Sequence, residues 1–137
     1  MKYVIAAVED IPPGARKIVD VARRSIGIFN VGGEFYALRN RCPHQGADLC
    51  TGRIWGTVEA ATPGAFDYTH NGAVLSCPHH GWEFQIRTGR SRCDPDRLRA
   101  TTYPVDIAAG NELLGNGYSA DGVAVQPDGR YVILELA

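Results

Sequence analysis

Long hydrophobic runs are missing from this sequence. The longest apolar run near its start, Val4–Val8, is far short of the ~20 residues a membrane-spanning helix needs. It also lacks the apolar length and small-residue cleavage site of an export signal. Charge of one sign is missing too: 14 Lys and Arg face 15 Asp and Glu, a net charge of −1. The whole-chain balance therefore gives no pull toward nucleic acid or an anionic membrane. Neither is expected as a partner, and a soluble cytoplasmic protein is the default. Disorder is excluded by an ordinary globular composition, 45% hydrophobic and 21% charged.

Turn chemistry, in contrast, is plentiful. Gly and Pro supply 24 of 137 residues, well above their usual combined share of about 12%. The length suits one domain, since single domains mostly run to about 100–150 residues. One domain is expected over residues 1–137. Short strands are expected over residues 3–8, 17–21, 26–31 and 34–39, with Val31-Gly32-Gly33-Glu34 closing a hairpin. An aperiodic loop follows over 40–52, and an irregular excursion with Pro63-Gly64 and Asn71-Gly72 over 57–72. Further strands are expected over 73–76, 82–86 and 101–107. Residues 123–125, a Pro127-Asp128-Gly129 turn and residues 131–136 read as a C-terminal hairpin, with a short helix or loop within 107–118. Short strands and frequent turns argue for an all-β fold, a small antiparallel sandwich or barrel.

Cysteine and histidine are scarce, four of each, but they cluster. Without an export signal, such cysteines are read as thiols or metal ligands before disulfides. Two loops repeat one pattern: Cys42-Pro43-His44-Gln45-Gly46 and Cys77-Pro78-His79-His80-Gly81. A thiolate and an imidazole two or three residues apart can converge on one side of a tight turn. Proline restricts that turn in advance, and glycine lets the backbone come close. The pair offers two S and two N ligands. That set suits a tetrahedral structural zinc, a Rieske [2Fe–2S] centre or a cysteine nucleophile with a histidine base. Spacing leaves both His79 and His80 open as the second imidazole, since repetition alone matches His79 to His44.

The flanks of the two loops narrow the choice. Asn40-Arg41-Cys42-Pro43-His44-Gln45-Gly46-Ala47-Asp48-Leu49 resembles the first cluster loop of Rieske ferredoxins and of ring-hydroxylating oxygenase components. Cys77-Pro78-His79-His80-Gly81-Trp82-Glu83-Phe84, then Arg87-Thr88-Gly89, resembles the second loop and its following strand. The resemblance is strong over residues 25–107 and weak over 108–137. It implies a Rieske-type antiparallel β-sandwich whose small cluster-binding subdomain is formed by two loops, residues 42–52 and 77–82. It further implies one [2Fe–2S] cluster, with Cys42 and Cys77 on one iron and His44 and His80 on the other. The family pattern usually has an aromatic where His79 stands, which makes His79 a neighbour of the site. His70, in a polar loop, reads as a surface residue. Cys50 and Cys93 match no ligand position and read as buried structural thiols.

Departures from the family are informative as well. The 32 residues between His44 and Cys77 are about twice the usual separation, and the surplus maps to an insertion at 57–72. Residues 108–137 form a C-terminal extension of unassigned role. The disulfide that ties the loops of high-potential Rieske proteins is absent, because Ala47 and His79 stand at its positions. Trp82 stands where those proteins place a serine that donates to a cluster sulfur, so a potential near or below about −100 mV is expected, toward the low end of a range of about −150 to +300 mV. With no second domain or spare ligand set for a mononuclear iron, the chain itself is not expected to be the oxygenase. The implied role is a one-electron carrier between a flavin-dependent reductase and a terminal oxygenase. Two alternatives stand beside it: a small Rieske-like subunit of a nitrite-reductase-type complex, and a structural Cys2His2 zinc module. Arg87, Arg90, Arg92, Arg97 and Arg99 against Asp94 and Asp96, net +3 in 13 residues, form a candidate basic docking feature for an acidic partner.

Overall fold

The computed structural model describes residues 1–43, 46–56, 59–62, 65–67, 73–78, 81–92, 98–114 and 123–136. Among the described residues, twelve strands fall into four antiparallel sheets. The first sheet joins the ends of the chain. Its central strand is β12 (Arg130–Glu135), flanked by β1 (Lys2–Ala7) and β11 (Val105–Ala109). The second sheet has the order β10 (Thr102–Tyr103), β4 (Glu34–Arg39), β3 (Arg24–Val31), β2 (Arg16–Val21). A third, smaller sheet has the order β5 (Arg53–Gly56), β8 (Ala73–Ser76), β9 (Glu83–Gln85). The fourth is a two-stranded ribbon of β6 (Glu59–Thr62) and β7 (Ala65–Asp67).

Alternation along β3 and β4 explains the layering, because successive side chains on a strand leave by opposite faces. Ile26, Ile28 and Ala37 point to one side, where they meet Ile5, Val132 and Leu134 of the first sheet together with Ile11 and Leu136. Phe29 and Leu38 point to the other, where they meet Leu49, Leu75, Phe84, Ile86 and both Cys42 and Cys77. The middle of the second sheet, β3 and β4, is therefore packed on both faces, between a structural core and a core that contains the cysteine loops, while the edge strand β2 is largely exposed. Inside it Asn30 is satisfied twice: its side-chain amide donates to the Ile11 carbonyl at 2.8 Å, and its Oδ1 accepts the Gly33 N–H at 2.8 Å. A third cluster lies on the outer side of the first sheet, where Leu113 of the short helix α1 (Gly110–Leu113), with Val123 and Val125, covers Val4, Tyr131 and Ile133.

The all-β expectation holds, and several strands fall within a residue or two of their expected bounds. Three readings are corrected. The expected strand 101–107 breaks at Pro104, which has no N–H to donate, and the chain crosses there from β4 to β12. The expected C-terminal hairpin does not form. Both edges of β12 are taken by β1 and β11, so residues 123–125 have no edge to join. They lie beside Tyr131 instead, whose hydroxyl accepts the Gln126 N–H at 2.6 Å and donates to the Ala124 carbonyl at 3.2 Å. Within 57–72, read as irregular, the described residues form the β6–β7 ribbon, with Glu59 opposite Asp67 and Thr62 opposite Ala65. Strand β5 was not anticipated.

Candidate metal centre

Two turns of the same construction carry the cysteines. In the first, the Cys42 N–H donates to the Ala47 carbonyl at 2.7 Å, and the Gly46 N–H returns to the Cys42 carbonyl at 2.7 Å. In the second, the Cys77 N–H donates to the Trp82 carbonyl at 2.7 Å, and the Gly81 N–H returns to the Cys77 carbonyl at 2.9 Å. Each turn closes over four residues after its cysteine. Each needs a left-handed residue at its fifth position, φ +78° at Gly46 and +71° at Gly81, which glycine adopts without steric cost. The sequence repeat is thus a structural repeat.

Both cysteines are buried, with 1% exposure at Cys42 and 3% at Cys77, and they share one core with Leu49, Leu75, Phe84 and Ile86. Trp82 and Ala47, at matching places in the two turns, pack partly buried against that core. Cys42, Cys50 and Cys77 are all thiols, none of them in a disulfide. Two buried thiols brought into one core by two matched turns fit the soft half of a metal or cluster site, for which deprotonated sulfur is the ligand. His44 and His80, like His70, His79 and Cys93, lie outside the described residues.

Several residues that hold the first loop were not anticipated. The Asn40 side chain accepts the Cys50 N–H at 2.7 Å and donates to the Ser25 hydroxyl at 3.1 Å. The Arg16 guanidinium donates to the Cys50 carbonyl at 2.9 Å and also to the Gly52 carbonyl. Gly52 passes so close to β8 that a Cβ there would overlap the Ser76 carbonyl oxygen, one residue before Cys77. Cys50 is fully buried, and its Sγ donates to the Leu38 carbonyl at 3.5 Å. It occupies space that a side chain on Gly27 would need. Burial pushes its thiol up to about 12 from 9.0, against the lowering effects of its hydrogen bond at Gly27 and the Arg16 charge. Cys50 is a structural thiol, as read. None of these supports has a sequence signature, since each depends on neighbours distant along the chain.

The small sheet sets the orientation of the second loop. Arg53 lies opposite Ser76, and Gly56 lies opposite Ala73. Cys77 therefore follows the Arg53–Ser76 end of the β5–β8 pair, whereas the chain enters and leaves residues 57–72 at its Gly56–Ala73 end.

Comparison with known proteins agrees with this geometry. The Rieske [2Fe-2S] domain family matches residues 1–104. The 3-phenylpropionate/cinnamic acid dioxygenase ferredoxin subunit of Escherichia coli (strain K12) is 35% identical over 104 residues, 76% of this chain and 83% of that protein. Its counterpart in Shigella flexneri matches at the same level. Among solved structures, the fold is shared with a Sphingomonas yanoikuyae B1 ferredoxin (TM-score 0.61, 21% identity, 100% of each chain covered). It is shared also with a putative NADH-dependent nitrite reductase small subunit from Mycobacterium tuberculosis (TM-score 0.62, 19% identity, 100% of this chain and 96% of that one). A further match, covering 97% of this chain and 28% of the other, is a carbazole-bound oxygenase and ferredoxin complex of carbazole 1,9a-dioxygenase (TM-score 0.60, 19% identity). The family carries one [2Fe–2S] cluster, which displaces the structural-zinc reading. No helix among the described residues is long and apolar enough to cross a membrane. The chain belongs to the Rieske [2Fe-2S] domain family.

Proposed function

We propose that this chain is a Rieske-type ferredoxin, a one-electron carrier that delivers electrons to a terminal oxygenase after receiving them from a flavin-dependent reductase. The observation that carries this reading is the pair of buried thiols, Cys42 and Cys77, on duplicated turns in one core. The relatives at 35% identity are dioxygenase ferredoxin subunits, which favours an oxygenase over a nitrite-reductase-type complex as the acceptor.

In this reading Cys42 and Cys77 would hold one iron of the cluster, and His44 and His80 the other. The cluster, when bound, takes up and gives back a single electron with no change of ligands. The protein supplies the rest. The two closed turns fix the cysteine backbones before metal arrives, and Leu49, Leu75 and Phe84 pack around the cysteine side, where low dielectric would favour the less reduced state. Pro43 and Pro78, each one residue past its cysteine, are exposed, so both loops come to the surface directly beyond the buried thiols. An electron exchanged at that surface would cross little protein.

The test is the EPR spectrum of dithionite-reduced protein, with iron and acid-labile sulfide assayed on the same sample. A rhombic signal with average g below that of all-cysteine clusters, and two irons with two sulfides per chain, is expected. His80→Ala abolishes that signal and His79→Ala keeps it. One zinc without sulfide, or a signal lost only with His79→Ala, overturns the function or the ligand assignment respectively.

A further inference from the structure

The outer face of the small β5–β8–β9 sheet carries more positive charge than the molecule as a whole. Ile54, Leu75 and Phe84 of that sheet point into the core, so their neighbours along each strand point outward. Arg53 lies opposite Ser76, and Ser76 opposite Glu83. The ladder continues past β9: Phe84 bridges Ser91, the Arg92 N–H donates to the Glu83 carbonyl at 2.9 Å, and the Gln85 N–H donates to the Arg90 carbonyl at 2.9 Å. Arg90 in turn bridges Arg99. Arg53, Arg90, Arg92 and Arg99 therefore share the outward side, and all four are exposed. Glu83 is the one carboxylate among the described residues of that ladder. A whole-molecule charge of −1 thus hides a local excess of positive charge on the sheet that carries Cys77.

The Arg90–Arg99 pair is the sharpest feature. Like charges directly opposite one another across strands are destabilising, and neither of these side chains has a hydrogen bond to a carboxylate among the described residues. An arrangement that costs the free protein stability is relieved when an anionic surface approaches. The face begins at the Arg53–Ser76 row, one residue from Cys77, and the Arg90 position lies two residues further along and two strands across, about 12 Å in all at the rise and spacing of strands. That is about one and a half Debye lengths (~8 Å) at physiological salt and well under one (~30 Å) at 0.01 M, so the patch acts on whatever meets the loops most strongly at low ionic strength.

We propose that this arginine-bearing face is the docking surface for a carboxylate-rich face of the electron-accepting protein. The inference rests on the electron-carrier reading above and specifies the chemistry of its partner. Small charged oxidants test the local field without the partner. The reduced holoprotein is oxidised in a stopped-flow instrument by ferricyanide, an anion, and by hexaamminecobalt(III), a cation, at low and at high ionic strength. The ferricyanide rate is expected to fall about tenfold with added salt, the lower end of electrostatic steering, and the cobalt rate to rise. Arg90→Gln with Arg99→Gln flattens both dependences, whereas Lys17→Gln with Arg130→Gln, the same charge change at exposed positions outside this face, leaves them in place. Polyglutamate slows the wild-type ferricyanide reaction and not that of the Arg90/Arg99 variant. Salt dependences of the sign set by the net charge, or an equal effect of the two double variants, would overturn the proposal. So would a single-stranded oligonucleotide competing more strongly than polyglutamate of equal charge. Loss of the electron-carrier reading itself is seen separately, as a holoprotein with no Rieske EPR signal to bleach.

Discussion

Gly52 shows how much of the cluster region depends on one missing side chain. Its backbone lies against the Ser76 carbonyl, so the first cysteine loop and the strand leading to Cys77 approach as closely as main chain allows. A methyl group there cannot be absorbed by a rotamer change, because its obstacle is backbone. Gly52→Ala is expected to cost about 3 kcal/mol, the upper end of ordinary overpacking, in urea denaturation, with a matching loss of iron incorporation. A loss below about 0.5 kcal/mol, the size of a neutral surface substitution, would show that the loops have slack. Cys50 makes a pH-dependent contribution at the same joint. Its folded pKa, about 12, lies above its unfolded value near 9.0, so the folded state keeps its proton while the unfolded chain begins to lose it. Its contribution is complete below about pH 9 and is lost as pH rises toward 12, at up to about 1.4 kcal/mol per unit. Wild type should therefore lose stability more steeply than Cys50→Ala between about pH 8 and pH 10. Parallel slopes would mean that the buried thiol ionises as readily folded as unfolded.

At the scale of elements, the sequence was most legible where one local rule decides. Hydrophobic alternation and a Gly-Gly turn gave β3 and β4, and the Cys-Pro-His-x-Gly repeat gave two turns whose hydrogen bonds prove equivalent. What stayed hidden was decided by distant partners. Val123 and Val125 read as strand, yet the edges they would need are filled by the first residues of the chain and by 105–109. Strand β5, Arg-Ile-Trp-Gly, is too short and mixed to show a period. The β6–β7 ribbon is built mostly from Ala, Thr and acids, residues with little collective strand preference. The β2–β3 hairpin holds a different kind of surprise. Val21 pairs with Arg24, leaving Ala22 and Arg23 as a two-residue turn with φ of 49° and 65°. Non-glycine residues in that region cost about 1–2 kcal/mol each, and Asn-Gly is the pair such a turn favours. Ala22→Asn with Arg23→Gly is expected to stabilise the protein by about 1–2 kcal/mol, read as a melting temperature several degrees higher. An unchanged or lower midpoint would mean that Arg23 makes a compensating interaction.

Taken as a whole, the molecule separates its redox end from its variable parts. The first and second sheets form one core from Ile5, Ile26, Ile28, Val132 and Leu134, while Cys42 and Cys77 belong to the other. Residues 108–137, where family resemblance fades, supply β12, the central strand of the first sheet, on the far side of the second sheet from the cysteines. The segment 57–72, read from the sequence as an insertion, is likewise placed by topology. It departs from Gly56 and returns at Ala73, a directly opposed pair, and Cys77 follows the other end of β8. Because Gly56 and Ala73 already face each other in register, a two-residue Asn-Gly turn can replace residues 57–72 and close β5 onto β8 as a hairpin. Shortening a loop changes closure entropy only slowly. The shortened protein is expected to incorporate the same iron and sulfide and to keep the wild-type EPR signal and midpoint potential. Its stability will fall to the extent that the insertion covers Val74, buried at 1% exposure on the outward side of β8. Loss of the signal, or a potential shifted by more than about 30 mV when the clusters' full range is several hundred, would show that residues 57–72 reach the redox site despite leaving the sheet at its opposite end.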